Sequence, residues 1–208
     1  MAEGSRFAKS LRSPVKWIVV GLMGLFLVSA TFAIRQASLI AMQGVECQRA
    51  HTIYVLLFQY SIDHNNRFPN GKSSTEVFQK LIDEKYATDP TIFYFPMPGK
   101  TASTSNILKP ENVCWDVTAC NVEMPEETPL LFETGYKISY VPGGSAVPIS
   151  GISHADTIGF VVVYNNGGTH FSRGVGEKSA ENDTSLISST FNPSGKKFQQ
   201  LTPDGPLP

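Results

Sequence analysis

The sequence predicts an α+β protein in which one long N-terminal helix, apolar at first and amphipathic later, is laid on a small antiparallel sheet. Three observations carry that expectation. The run from Trp17 to Ala33 contains no charged residue. The chain then reaches Asp63 without a proline, with apolar residues at helical spacing. Beyond Pro69, short apolar runs alternate with Gly, Pro and Asn turns, the pattern of a β-rich head.

The first element is a membrane anchor. Residues 1–14, with Lys16 just beyond, carry Arg6, Lys9, Arg12 and a single acid, Glu3, so the positive-inside rule keeps this end in the cytoplasm. Pro14 suits the first turn of a helix and Trp17 suits the bilayer interface. Residues 15–35 then supply the roughly 20 residues that a spanning helix needs. A single-pass protein of the cell membrane follows, with its head outside the cytoplasm. A cleaved signal peptide is the rival, because Val28-Ser29-Ala30 and Thr31-Phe32-Ala33 each offer a small residue before a cut. The length of the apolar run and its continuation as helix favour a retained anchor.

Residues 36–68 continue the helix. Leu39, Met42, Ala50, Ile53, Tyr54, Leu57 and Tyr60 recur near the spacing of one face, while Gln43, Glu46, Gln48, Arg49, Gln59 and Asp63 mostly lie off it. From about Ala50 onward this face should be buried on the head. The helix is expected to stop at Asp63-His64-Asn65-Asn66, which tolerate turn and left-handed conformations, before Pro69.

The head, residues 69–173, opens with a short helix over Glu76–Lys85 capped by Ser73, Ser74 or Thr75, with Val77, Phe78, Leu81 and Ile82 inward. Thr91–Phe95 reads as a short strand or extended edge. Residues 99–112 read as loop and Val113–Val117 as a strand. Pro129–Glu133 and Lys137–Val141 bracket Gly135, a hairpin arrangement. The strongest β signal is Thr157–Tyr164, a turn at Asn165-Asn-Gly-Gly168, and Thr169–Arg173. Residues 174–208, rich in Ser, Gly, Asn, Lys and Pro, read as a flexible or extended tail.

Two segments carry a family resemblance. Leu57-Phe-Gln-Tyr60 followed by Asp63-His-Asn-Asn-Arg-Phe-Pro69 resembles the close of the long helix in type IV pilin-like proteins, specifically major pseudopilins of type II secretion. The hairpin Val161–Phe171, with Asn166-Gly167 at its turn and Thr169-His170-Phe171 on its return strand, resembles the last hairpin of their heads. The resemblance implies a pilin-like fold and a structural role in a filament or an envelope or secretion-type complex, with the membrane and other pilin-like subunits as partners. The sequence departs from that family at its start: Lys16-Trp-Ile-Val-Val-Gly21 replaces the Gly-Phe-x-x-x-Glu at which a peptidase cuts and through which assembly is aided. Major pseudopilins often hold calcium in the head, but none of their ligand residues can be matched here one by one.

Chemistry is sparse. A net charge of −1 with 17% charged residues leaves no broad basic face for nucleic acid. Of the three cysteines, Cys114 and Cys120 are spaced for a small disulfide loop or are reduced, and Cys47 is left over. Cys47 and His51 lie four apart on the helix, but two ligands do not make a zinc site; packing on the head is the simpler role. Gly151-Ile-Ser153-His154-Ala155 lacks the second glycine of a nucleophile elbow, and His154 and Asp156 read as loop residues. Asp63, Asn65, Asn66, Asp116 and Asp156 could offer oxygens to calcium, without the spacing of a known loop; for the first three, a helix-ending turn suffices. Asn182-Asp-Thr184 fits a glycosylation sequon. Phe93, Tyr94 and Phe95 read as core more than as a binding surface.

No catalytic residue, cofactor site or metal site is therefore expected. Association would use close contact between anchor helices at Gly21, Gly24, Ser29 and Ala30. A monomeric, membrane-anchored binding module outside the cytoplasm is the second reading, and an exported hydrolase the third.

Overall fold

A computed structural model describes residues 12–119, 122–138, 147–148, 159–173 and 197–207. The chain divides into two compact units, Met1–Met42 and Gln43–Pro208. Helix α1, Arg12–Asp63, is continuous through both. The boundary between the two units falls inside this helix.

In the second unit, α1 ends where the sequence says it should. Asn65 and Asn66 both take left-handed backbone, with φ of 54° and 61°. Asparagine tolerates that region because its short side chain can hydrogen-bond locally. The amide of Asn66 bonds back to Ser61 O at 2.8 Å, closing the helix end. Helix α2, Ser74–Asp83, starts at an N-cap in which the Ser73 hydroxyl accepts the amide of Glu76 at 3.1 Å. Its apolar face, Val77, Phe78, Leu81 and Ile82, is buried as expected.

Six strands form the main antiparallel sheet: β1 Trp115–Ala119, β2 Pro129–Glu133, β5 Gly159–Tyr164, β6 Thr169–Arg173, β7 Gln199–Thr202 and β8 Gly205–Pro206. Their order is β6-β5-β2-β1-β7-β8, and β3 Tyr136–Lys137 pairs separately with β4 Val147–Pro148. Alternation divides the sheet into two faces. Trp115, Val117, Leu131, Val161, Val163 and Leu201 join Ala50, Ile53, Tyr54, Leu57 and Tyr60 of α1 and the apolar face of α2 in the larger core. Phe132, Tyr136, Ile138, Val162 and Phe198 make a smaller core that includes the opposite face of the sheet.

Three expectations need correction. Thr91–Phe95 is not a strand, and only its end is extended, at Tyr94: Pro90–Phe93 is a 3₁₀ turn, because Asp89 Oδ1 accepts both the amide and the hydroxyl of Thr91, at 2.8 and 2.7 Å, and Pro90 presets the first helical φ. Local capping outweighs the β preference of the aromatics, and Phe93 and Phe95 are core residues. β2 and β3 do not form a hairpin, since both edges of β2 are taken by β1 and β5. The C-terminal stretch is not all tail either: β7 pairs with β1 from Val117↔Leu201 to Ala119↔Gln199, and β8 folds back on β7. Residues 174–196 lie outside the described residues.

The hairpin β5–β6 holds in full register from Gly159↔Arg173 to Val163↔Thr169. Its turn meets α1: the Tyr54 hydroxyl donates to Asn165 O at 3.1 Å. Gly167 has φ of +82°, and a Cβ there would stand 2.7 Å from Tyr54 Cε1. Both the backbone and the space demand glycine. Gly167→Ala is therefore expected to destabilise the head by about 1–3 kcal/mol, read as a lower urea midpoint with an unchanged slope; an unaltered midpoint would show that the turn and Tyr54 yield freely.

Candidate functional site

The first unit offers a surface suited to lipid. Trp17–Ile34 has a mean hydropathy of 2.3, and none of that window is buried. Its apolar side chains are exposed on every side of the helix, from Trp17 at 73% through Phe26 at 72% to Ile34 at 70%. A helix that is apolar all round needs an apolar surround, which a membrane supplies. This makes the segment apt to cross a bilayer by length and composition.

Its small residues are spread around the axis. Gly21 and Gly24 lie about 60° apart, with open space where a Cβ would stand, whereas Ala30 lies about 180° from Gly21. Ser29 turns its hydroxyl back onto Leu25 O at 2.7 Å and Phe26 O at 3.1 Å. Of the four positions expected to form one association face, Ser29 lies about 80° from Gly21, so Ala30 is the one turned to the opposite side.

In the second unit, polar side chains gather where α1 ends. His64 stacks on Tyr60, with ring centroids 3.8 Å apart and planes 6° from parallel. Its Nδ1 faces Tyr60 O at 2.8 Å and its Nε2 faces Glu84 Oε2 at 3.2 Å. The Tyr86 hydroxyl donates to Asp63 Oδ2 at 2.7 Å, and that hydrogen bond is the main cause pushing the phenol up to about 12. The cluster ties the end of α1 to the end of α2. A cleft of about 810 Å³ opens beside it, with Asp63, His64 and Arg67 among the polar residues and Leu57, Val77, Val117, Leu130 and Leu201 on the apolar side. Those five apolar residues are each exposed by 3% or less, so they are already covered by one another.

The residues singled out for chemistry are scattered or committed elsewhere. Asp63 holds Tyr86, and Asp116 is buried on the sheet. Among the described residues, no group of three His, Cys, Asp or Glu side chains is placed to hold a metal. Cys47 is half-buried against the core, while His51 is exposed and stacks on Tyr54 instead of packing inward. The free thiol of Cys114 is buried, accepting from Phe95 N at 3.5 Å and donating to Phe95 O at 3.3 Å, and burial pushes it up to about 11. Cys120, Ser153, His154, Asp156 and Asn182 lie outside the described residues.

Two buried acids were not singled out for their burial. Glu133 stands opposite Trp115 on the helix-facing side of the sheet; Oε1 accepts the amide of Val161 at 3.1 Å, while Oε2 has no hydrogen-bond partner. Burial pushes its carboxyl well above the usual range, and the neighbouring Glu46 adds to the shift. Asp116, on the other face, is pushed up to about 7 by burial. The only hint in the sequence is an acid closing the apolar run Pro129–Glu133.

Compared with known proteins, the chain matches no family model, no curated protein and no solved structure.

The folded state retains the Glu133 proton to a higher pH than the unfolded chain does, so this group costs stability as pH rises above the ordinary glutamate range near 4.3. Glu133→Gln is expected to match the parent at pH 4 and to exceed it once pH rises above the ordinary glutamate range, read as a higher urea midpoint. A constant difference across that range would mean that Glu133 ionises without hindrance.

Proposed function

We propose that the chain is a pilin-like, membrane-anchored structural subunit that associates through its N-terminal helix into a filament or an envelope or secretion-type complex. The observation that carries this is one continuous helix with two surfaces. Trp17–Ile34 is apolar and uncovered, whereas Ala50–Tyr60 of the same helix is built into the core of an antiparallel α+β head. The helix-ending turn at Asp63–Asn66 and the hairpin at Val161–Phe171 support it as well, since these segments resemble major pseudopilins.

The basic residues Arg6, Lys9, Arg12 and Lys16 orient the anchor with its N-terminus in the cytoplasm and the head outside. In this reading the protein works by contact, with no catalytic step and no bound cofactor. The second reading, an anchored module that binds a partner without polymerising, draws on the missing Gly-Phe-x-x-x-Glu start and on the cleft beside Arg67.

Crosslinking in native membranes separates the two. In a variant carrying Cys47→Ser, Cys114→Ala and Cys120→Ser, single cysteines introduced as Ala37→Cys or Ala41→Cys are expected to give a ladder of many rungs on a denaturing gel. A monomer, or one mixed band with a different protein, would replace the assembly reading with the anchored module.

A further inference from the structure

We propose that β7 and β8 form a strap along the outer edge of β1 whose hold is set by whether the buried Asp116 side chain carries a proton. The geometry is that of a lock between chain segments far apart in sequence. Asp116 is fully buried on the face of the sheet that carries Phe132 and Val162. Its Oδ2 accepts from Gln200 Nε2 of β7 at 2.7 Å, and the Thr134 side chain favours the charged form of the same carboxyl. Gln200 Nε2 also donates to Tyr136 O, and Gln200 Oε1 accepts the amide of Ile138 at 3.2 Å. One glutamine side chain thus joins β7 to Asp116 of β1 and to the segment around β3.

The carboxyl itself is poorly provided for as an anion. Asp116 Oδ1 is buried without a hydrogen-bond partner, and no cation forms an ion pair with the group among the described residues. Lys100 acts on it from the loop before β1, but its ammonium is bonded to Pro110 O at 2.9 Å. Asp204, in the turn between β7 and β8, opposes ionisation. A charge so placed is costly, and release of the strap is the simplest route to hydrate it.

The sign follows from the two states. With the strap closed, burial holds the proton to about pH 7. With it open, Asp116 meets water and takes the ordinary aspartate value of about 3.9. Opening therefore becomes about tenfold easier for each pH unit between roughly 4 and 7, then levels off. The strap is firm in acid and looser at neutrality, and its release bares the backbone of β1 from Val117 to Ala119. This does not depend on whether the chain forms filaments.

Hydrogen exchange of the full chain carrying Glu133→Gln, which removes the other buried acid bonded to β5, tests it in detergent micelles, with β5 as the internal reference and rates corrected for intrinsic pH dependence. Protection of Gln199–Thr202 relative to Gly159–Tyr164 is expected to fall about tenfold per unit from pH 5 to 7 and to level above. Asp116→Asn should make the ratio flat. In Thr134→Val, which removes a polar group that favours the charged form, the fall should continue to higher pH. A flat ratio in the parent, the same slope in Asp116→Asn, or equal loss in both strands would overturn the proposal. Should Asp116→Asn fail to fold, an unmoved levelling point in Thr134→Val would overturn it as well.

Discussion

The head depends on burying one face of α1 against the sheet. Ala50, Ile53, Tyr54, Leu57 and Tyr60 are spaced for a single stripe, and that stripe meets Trp115, Val117, Leu131, Val161 and Val163 in one core. The remaining elements answer to it. The hairpin turn brings Gly167 against Tyr54, since no side chain fits there. Helix α2 and the 3₁₀ turn at Pro90–Phe93 extend the same apolar layer, with Phe78 stacked on Phe93 at 4.6 Å between centroids. Burial of this kind dominates the favourable side of folding, and here it is concentrated on one helix.

Elements specified by short-range chemistry were legible in the sequence. The end of α1 follows from Asp63-His-Asn-Asn66, the cap of α2 from the run Ser73-Ser74-Thr75, and the β5–β6 hairpin from apolar alternation around Asn-Gly. Where pairing is decided at long range, the sequence was mute. β7 has little apolar character in Gln199-Gln-Leu-Thr202, yet it lies in the sheet because Leu201 reaches the core and Gln200 finds Asp116. The segment after Gly135 turns away from β2 because β5, distant in sequence, already holds that edge. At Thr91–Phe95 the error was local: aromatic composition suggested a strand, while Asp89-Pro90 had the stronger say over the backbone.

The functional surfaces were legible in unequal measure. Trp17–Ile34 needs only composition and length to be recognised, and its uncovered side chains agree with that. A set of small residues does not become an association face until helical rotation is counted, which separates Ala30 from Gly21 and Gly24. The buried acids gave almost no signal, because an aspartate in Trp115-Asp-Val117 looks like an ordinary solvent-facing strand residue. Only the second layer of side chains, from Phe132 to Phe198, makes that face of the sheet an interior.

The pairing of β1 with β7 brings residues near 117 beside residues near 201, so it encloses a loop of about 80 residues. Such a contact is reached late in folding, after the entropy of closing the loop has been met. While the chain is being made, β1 waits with one edge unpaired, and an open strand edge invites pairing with another molecule. A head of this design would gain from a chaperone during the interval between emergence of Ala119 and arrival of Gln199.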